Sequence, residues 1–337
     1  MVKVSILGAG SWGTALAVLL ADNGHQVLLW SALKHEVEML KEHREHIDKL
    51  PGVKLSENID YTLNIEEACT GQDIIVFAVA SPFTRSTAKL AAPYIKNNQI
   101  IVNVAKGIEE STLSTLSDIL KQEIPNADIA VLSGPSHAEE VSRRIPTTCV
   151  VGADSRKTAS YIQDIFMSDK FRVYTSPDVI GIELGGSLKN VIALAAGIAE
   201  GIGYGDNTKA ALMTRGIAEM SRLGVAMGGK METFTGLSGV GDLIVTCTSK
   251  HSRNRNAGYL IGKGRTMKEA MDEVQQIVEG VYSAKAALAL SKKYEIEMPI
   301  VEQICQVLFE DKLAMDAVTD LLLRDKRKEY SELEWEQ

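Results

Sequence analysis

A lone lysine lies in the middle of a long apolar segment of the chain. Lys189 is surrounded by alanine, valine, leucine and isoleucine between Val179 and Ala199, and the nearest acidic residues, Glu183 and Glu200, are more than one helical turn away. Burying an ammonium group without a compensating charge or hydrogen bond is costly. We therefore expect that a group elsewhere in the chain compensates Lys189, and the function must account for that group.

The same segment is predicted to form one long helix, with Ser176 as its N-cap and Pro177 at its first position. A membrane span is rejected, because a central lysine costs about 2.5–3.5 kcal/mol on insertion scales and the apolar run is only about half the length that a bilayer requires. Two interpretations stay open. The segment is either a core helix whose lysine reaches solvent, or the wall of an active site.

A glycine motif near the N-terminus is typical of dinucleotide binding. The motif Gly8-x-Gly10-x-x-Gly13 lies between a predicted strand and a predicted helix. Gly8 permits a tight turn, Gly10 lets the backbone approach a pyrophosphate, and Gly13 lets helix and strand pack closely. Because the helix N-terminus also offers amide groups to the phosphates, the motif predicts a dinucleotide site.

Polar groups at three other places could meet an anionic substrate. Lys106 follows a predicted strand, so it either lies beside the pyrophosphate or faces solvent. Asp242 lies at a predicted helix start, where the helix dipole favours a carboxylate in any case. Residues 252–256, Ser-Arg-Asn-Arg-Asn, open another helix with a capping serine and two guanidinium groups. That combination favours phosphate binding.

These residues must be positioned by two different kinds of structure. Short strands alternate with helices up to residue 175, whereas helices alone follow. The alternation predicts a parallel sheet covered on both faces, with ligands beyond the carboxyl ends of its strands. The predicted fold class is α/β, a Rossmann-type doubly wound parallel sheet in residues 1–177, followed by an all-α domain in residues 178–337. The predicted strands are 2–7, 26–30, 73–79, 99–104, 128–133, 147–151 and 171–175.

Composition restricts the class of partner. The chain has 337 residues and a formal net charge of −8, which argues against nucleic acid or an anionic membrane as the main partner. Its four cysteines are scattered without a CxxC pair, so neither a disulfide framework nor a metal site is indicated. A reduced cytoplasmic location fits best. The first strand ends at Gly8 and is too short for a signal-peptide core.

Several motifs together resemble the bacterial glycerol-3-phosphate dehydrogenase family over the whole chain. They are residues 8–17 (GAGSWGTALA), 105–107 (AKG), 133–136 (SGPS), 184–191 (LGGSLKNV), 241–243 (GDL), 247–249 (CTS) and 252–255 (SRNR). Their number and order make this resemblance far more specific than the glycine motif alone.

The resemblance implies an NAD(P)-dependent interconversion of sn-glycerol 3-phosphate and dihydroxyacetone phosphate, which supplies glycerol 3-phosphate for phospholipid synthesis. It also implies that Lys189 is the catalytic acid/base and that Asp242 lies in its site. The residues implied to contact the substrate are Lys106, Gly134, Ser136, Lys189, Asp242, Ser252, Arg253 and Asn254. Those implied to bind the cofactor, NAD or NADP, are Gly8, Gly10, Ser11, Trp12, Gly13, Lys106, Ala138, Arg253, Ile277 and Glu279.

The residues leave several choices open. Ala32 stands where family members often carry His or Arg, so the sequence does not choose between NAD and NADP. Lys34 and His35 could touch a 2′-phosphate or face solvent, and Ser136 with Glu139 is also interpreted as a capping box. The alternatives are a related two-domain reductase of a carboxylate, of the 2-hydroxyacid or ketopantoate type, and a non-catalytic dinucleotide sensor. A homodimer is left open as the assembly.

Overall fold

The computed structural model describes residues 1–326 and 328–329, so residue 327 and residues 330–337 of the predicted second domain lie outside the described residues. Its strands are β1 Lys3–Leu7, β2 Gln26–Trp30, β3 Ile59–Thr62, β4 Ile74–Phe77, β5 Ile100–Asn103, β6 Asp128–Ser133, β7 Thr147–Ala153 and β8 Phe171–Ser176. Helices of the first half are α1 Ser11–Asp22, α2 Lys34–His43, α3 Ile65–Cys69, α4 Thr84–Ala91, α5 Leu116–Glu123, α6 Ala138–Val141 and α7 Arg156–Phe166. Those of the second half are α8 Val179–Ile202, α9 Asp206–Ala226, α10 Met231–Phe234, α11 Asp242–Thr248, α12 Arg253–Gly262, α13 Met267–Val274, α14 Glu279–Lys293, α15 Pro299–Phe309 and α16 Ala314–Leu322.

The strands form one sheet in the order β3-β2-β1-β4-β5-β6-β7-β8. Its central strands are almost wholly apolar because both faces are covered, as in Ile74–Phe77, where all four residues are buried. The predicted fold class is confirmed, with two differences. β3 has only four residues and was missed, and β7 runs antiparallel to β6, whereas every other neighbouring pair is parallel.

The order of the strands places a ligand crevice after β1. β2 pairs with one edge of β1 and β4 with the other, and Leu7 at the end of β1 is level with Trp30 and Phe77. The connections after β1 and β4 therefore diverge at this point, which is the topological switch where open α/β sheets bind ligands. The glycine motif lies there.

The helical half is built around α8, which is buried over nearly all of its length. Small residues let neighbouring helices approach its backbone: a Cβ at Gly197 would lie 2.1 Å from the carbonyl oxygen of Arg255, and one at Gly258 would lie 2.2 Å from that of Leu194. Of the apolar window long enough to cross a membrane, 94% is buried inside the protein. α8 is therefore a core helix rather than a membrane span.

The start of α8 differs from the prediction. The N-cap is Asp178, whose Oδ1 accepts a hydrogen bond from the Gly181 amide at 2.9 Å. Ser176 instead ends β8, and its hydroxyl accepts from the Asp178 amide at 3.1 Å. Asp178 takes the N-cap position because its second carboxylate oxygen also accepts hydrogen bonds from the Lys230 amide and the Thr233 hydroxyl, which connect α10 to the start of α8.

Candidate active site

A cleft of about 680 Å³ runs between the carboxyl edge of the sheet and the helical half. The sheet contributes the connections after β1, β2, β4, β5 and β6 to its wall, and the helical half contributes residues of α8, α11, α12 and the start of α14. Its volume lies within the range of small-molecule and cofactor sites. Both halves of the chain are needed to line it.

The glycine turn has the shape that a pyrophosphate requires. Gly8 has a φ of 119°, and a Cβ at Gly13 would lie 1.9 Å from the carbonyl oxygen of Gly8, so a side chain at either position would be strained. A Cβ at Gly10, by contrast, would meet nothing within 4 Å. Gly10 is also the N-cap of α1 and brings no side chain to its first amides. These residues fit a dinucleotide whose phosphates accept from those amides.

Lys189 is held by a carboxylate from another helix. Its Nζ lies 2.6 Å from Oδ1 of Asp242 and donates a second hydrogen bond of 2.6 Å to the hydroxyl of Thr246. The Lys189 side chain is only 7% exposed, so it does not extend to solvent as a structural lysine would. The compensation expected for this ammonium group therefore comes from α11, while Glu183 and Glu200 bond to other groups.

The same carboxylate holds a second amine. Lys106 Nζ donates to Oδ2 of Asp242 at 2.6 Å and to the carbonyl oxygen of Gly134 at 3.0 Å. Lys106 thus lies beside the crevice rather than in solvent. One aspartate that is 1% exposed fixes two ammonium groups at the cleft wall, and this outweighs any role of Asp242 as a simple helix cap.

The electrostatics of the triad formed by Lys106, Asp242 and Lys189 favour proton transfer. Burial, and then the nearby Lys106 charge, lower the pKa of Lys189 to about 8, although Asp242 acts in the opposite direction. The pKa of Asp242 is lowered because the two lysines outweigh the effect of its burial. Lys189 is therefore an ammonium group at neutral pH whose proton is easier to lose than that of an ordinary lysine, as a general acid requires.

The loop after β6 presents polar atoms to the triad. Gly134 has a φ of 139°, which turns its carbonyl oxygen to accept from both Lys106 Nζ and the Ser136 hydroxyl, the latter at 2.9 Å. The predicted capping box of Ser136 and Glu139 is wrong, because His137 is the N-cap residue of α6 and no side chain caps that helix. Ser136 is thereby left on the cleft wall.

The start of α12 forms the other wall. Ser252 is the N-cap, as predicted, and its hydroxyl accepts from the Arg255 amide at 3.1 Å. Arg253 lines the cleft, but the second guanidinium group of the predicted pair does not, since Arg255 bonds to Glu200 with its Nε at 3.0 Å. One arginine and the first amides of α12, which have no intrahelical acceptor, are available for an anion.

Most of the expected site residues share this cleft. The cleft wall includes Gly8, Gly10, Ser11, Trp12, Lys106, Ser136, Ala138, Lys189, Ser252, Arg253, Asn254, Ile277 and Glu279. Gly13, Gly134 and Asp242 lie behind it: Gly13 packs on the turn, and the other two hold Lys106. The sequence analysis missed Thr246, Asn190, His137 and His251 on the same wall. The last three each adjoin an expected site residue in the sequence, so adjacency could have found them, whereas Thr246 is placed there by its contact with Lys189.

At the far end of the cleft, beyond β2, an ion pair lies beside Ala32, the position at which family members often carry a charged residue that contacts the adenosine ribose. Ala32 lines the cleft beside Glu36 and Lys49, and the amine of Lys49 bonds to the buried Glu36 carboxylate. Lys34 lies outside the cleft lining and pairs with Glu38 on the exposed face of α2. The charge of Lys49 is thus offset by Glu36. Burial acts to raise the pKa of Glu36, but the nearby His46 ring and the hydrogen bonds from Lys49 and Ser31 outweigh it and lower this pKa to about 2.

A glycine turn at the switch point of a doubly wound sheet, facing a carboxylate-held lysine across one cleft, defines a dinucleotide-dependent oxidoreductase. Family comparison gives the particular kind. Residues 3–159 match the model of the NAD-dependent glycerol-3-phosphate dehydrogenase N-terminus and residues 178–319 match that of its C-terminus. The chain belongs to this family.

Individual relatives agree along the whole chain. A glycerol-3-phosphate dehydrogenase [NAD(P)+] of Agathobacter rectalis is 64% identical over 99% of this chain and 100% of its own length. That of Fusobacterium nucleatum is 59% identical over 98% and 99%. The crystal structure of glycerol-3-phosphate dehydrogenase from Coxiella burnetii has a TM-score of 0.93 at 37% identity, and the match covers 96% of this chain and 99% of that one.

These comparisons decide between the interpretations of the sequence. The resemblance, the enzyme class, glycerol-3-phosphate dehydrogenase activity and an NAD(P) coenzyme are confirmed. A ketopantoate reductase from Ralstonia eutropha is also similar, with a TM-score of 0.61 at 16% identity. That likeness shows a shared fold alone and gives no support to the carboxylate-reductase alternative.

Proposed function

We propose that the chain reduces dihydroxyacetone phosphate to sn-glycerol 3-phosphate in this cleft, with Lys189 as the proton donor. The observation that carries the proposal is the 2.6 Å contact between Lys189 Nζ and Asp242 Oδ1 at the wall where the sheet and helical halves meet. A nicotinamide coenzyme bound at the glycine turn would supply the hydride to the ketone carbon. The chain's own residues must then manage the charge that develops on the ketone oxygen.

Lys189 performs that task by position and charge. Its ammonium group stabilises the developing oxyanion and gives it a proton, and general acid catalysis of this kind is worth about 10²- to 10⁴-fold in rate. Asp242 and Thr246 fix the direction of the amine by accepting two of its three N–H bonds, so the third is free to meet the substrate. Lys106 adds a second positive charge beside the same carboxylate.

The phosphate group of the substrate binds at the start of α12. Arg253 and the first amides of the helix supply charge-assisted hydrogen bonds. This binding energy acts at a distance from the reacting carbon and holds the ketone near Lys189. Asn254 supports the wall, since its Nδ2 donates to Oδ1 of Asn190 at 2.9 Å and its Oδ1 accepts from the Gly280 amide at 2.8 Å.

Replacing the phosphate-binding arginine is expected to weaken substrate binding above all. Arg253→Ala should raise the KM for dihydroxyacetone phosphate about 10- to 100-fold, because a hydrogen bond to a charged group contributes about 1.5–3 kcal/mol. Steady-state kinetics at saturating NADH measure this. Arg255→Ala is the matched control, since that guanidinium group bonds to Glu200, and its KM should stay close to the parent value. Equal KM values for both variants would contradict the phosphate site.

The two coenzymes are expected to be used with similar efficiency. The carboxylate of Glu36 offsets the charge of the Lys49 amine at the end of the cleft where the adenosine ribose is expected to lie. Neither the ribose hydroxyls of NADH nor the 2′-phosphate of NADPH would therefore meet a strong unpaired charge there. Titrating NADH and NADPH at fixed substrate should give kcat/KM values within about tenfold, or about 1.4 kcal/mol. A preference of more than about 100-fold for either coenzyme would contradict this account.

One assay separates the proposed reaction from its alternatives. Dihydroxyacetone phosphate added to the full-length enzyme and NADH should cause immediate loss of NADH absorbance. Ketopantoate or another 2-oxoacid should leave the absorbance unchanged. A dinucleotide sensor would bind NADH without oxidising it under either condition, and turnover on the carboxylates alone would favour the carboxylate reductase.

The remaining predictions concern the setting of this reaction. We infer that the product supplies phospholipid synthesis, that the enzyme works in the cytoplasm, and that residues 1–177 and 178–337 act as coenzyme-binding and catalytic domains. The four buried thiols are consistent with a reducing compartment. A homodimer stays a prediction, which light scattering tests against the 36.6 kDa mass of one chain.

A further inference from the structure

α8 makes a second connection to the active site, through two residues that lie within two turns before Lys189. The carboxylate of Glu183 and the hydroxyl of Ser187 both form hydrogen bonds with residues of the sheet half. Both side chains are buried, at 7% and 1% exposure. Neither touches the triad of Lys106, Asp242 and Lys189, and the reaction described above does not use them.

Glu183 bonds to the sheet half through both of its carboxylate oxygens. Oε1 accepts from the Ser117 amide at 2.9 Å, and Oε2 accepts from the Ser117 hydroxyl. Ser117 lies in the first turn of α5, where a carboxylate from outside the helix satisfies an orphan amide. Burial raises the pKa of Glu183, and the two hydrogen bonds from Ser117 act in the opposite direction because they favour the carboxylate.

The same carboxylate reaches the loop that carries Lys106 through one side chain. Asn103 at the end of β5 donates from Nδ2 to Oε1 of Glu183 at 3.3 Å and to the carbonyl oxygen of Ala105 at 3.1 Å. Its Oδ1 accepts from the Ala105 amide at 3.2 Å. The side chain of Asn103 thus bonds to both backbone groups of Ala105, the residue before Lys106, and Glu183 in turn holds that side chain.

Ser187 holds the other side of the same loop. Its hydroxyl lies 3.0 Å from the carbonyl oxygen of Gly107 and 2.8 Å from that of Glu183. Residues 105 and 107 are therefore both connected to one turn of α8, with Lys106 between them. Six residues after Glu183 along the helix comes Lys189, so a single helix sets the backbone positions of both amines that meet Asp242.

We propose that Glu183 is a positioning residue for Lys106: through Asn103 it fixes the loop 105–107 against α8, so that both amines converge on Asp242. This inference rests on the proposed function. A Lys106 side chain released from this position would leave Asp242 with Lys189 alone and withdraw one positive charge from the substrate. The loss would appear in kcat/KM for dihydroxyacetone phosphate, and it would depend on Lys106 being present.

A double-mutant cycle tests this dependence. Glu183→Met keeps much of the side-chain volume and removes both acceptors, and it is made in the parent enzyme and in Lys106→Met. We expect kcat/KM to fall about tenfold in the parent but less than about twofold in the Lys106→Met background, because coupled residues are not additive. Glu183→Gln retains an acceptor for the Ser117 amide and Asn103, and it should stay within about threefold of the parent.

Glu219 provides the matched control. It is also a buried glutamate, 2% exposed, and its Oε1 accepts from the amide of Ile300 at the start of α15 at 2.9 Å. Glu219→Met removes a comparable helix-capping carboxylate that neither lines the cleft nor bonds to the triad, so it should lower thermal stability to a similar degree while kcat/KM stays at the parent value.

The outcomes distinguish this proposal from the proposed function. Turnover of dihydroxyacetone phosphate by the parent enzyme tests the reaction itself. Equal losses from Glu183→Met in both Lys106 backgrounds, or an unchanged kcat/KM in the parent, would overturn the positioning role. If Glu183→Met does not fold, Asn103→Leu breaks the same connection without opening the contact to α5, and the same coupling to Lys106 is expected.

Discussion

Lys189→Met is expected to lower kcat for the reduction of dihydroxyacetone phosphate by about 10³-fold or more, because the ketone oxygen loses both its proton donor and the positive charge beside it. The fold should survive the change. Asp242 keeps its 2.6 Å bond to Lys106, so the substitution leaves no unpaired charge in the core. Steady-state kinetics give the loss of kcat, and fluorescence titration gives the affinity for NADH, which should be nearly that of the parent.

A lysine outside the cleft controls for this variant. Lys209 lies in the same helical half and bonds to Glu200 at 3.1 Å, so Lys209→Met should keep kcat within a few-fold of the parent. Substantial turnover by Lys189→Met would remove Lys189 from the reaction. A joint loss of turnover and NADH binding would show instead that the variant has lost the structure of the cleft.

Asp242→Asn is expected to have the second-largest effect, because one carboxylate compensates two amines. Its removal leaves Lys106 and Lys189 facing each other, and breaking a buried ion pair in this way costs about 3 kcal/mol of stability. Asp242 raises the pKa of Lys189, so its loss should move that pKa below about 8. We expect kcat/KM to fall about 10²-fold near neutral pH, and the loss relative to the parent should grow as pH rises toward about 8, above which both enzymes lose the proton.

Asp178 supplies the control for stability. It caps α8 through the Gly181 amide and contacts neither amine. Asp178→Asn keeps one oxygen for that cap but loses the oxygen that accepts from the Lys230 amide and the Thr233 hydroxyl, so it should cost about 1 kcal/mol of stability without changing the pH dependence. Thermal unfolding and pH–rate profiles of both variants measure these effects. A pH–rate profile of Asp242→Asn that coincides with that of the parent would contradict the role given to the carboxylate.

The parts of this structure that follow from local pattern could be predicted from the sequence. The spacing of the three glycines is enough to predict the turn after β1. Strands such as Ile74–Phe77 are recognisable because a strand covered on both faces is continuously apolar. The need for a partner of Lys189 also followed from the cost of burying an ammonium group. The residues alone identified Asp242 only as a polar helix start, and its place beside Lys189 came from the family resemblance, since 53 positions separate the two residues.

Other features depend on long-range contacts that local pattern does not show. β3 is as long as β4, but its sequence Ile-Asp-Tyr-Thr lacks the continuous apolar run that makes β4 recognisable, and it forms as the edge strand beside β2. Ser176 and Ser136 have the right type for helix caps, yet Asp178 has more hydrogen-bond donors around it and the Ser136 hydroxyl turns to Gly134. Arg255 was expected beside the phosphate, but its guanidinium group bonds instead to Glu200 on the adjacent helix α8.

The pH dependence of kcat/KM for dihydroxyacetone phosphate at saturating NADH, measured for the parent and for Lys189→Met, tests the central claim most directly. A group that must be protonated with a pKa of about 8 predicts that the parent loses activity as pH rises through that value. The residual activity of Lys189→Met should show no such decline. A parent profile that stays flat above pH 8, or the same decline in both proteins, would contradict Lys189 as the proton donor.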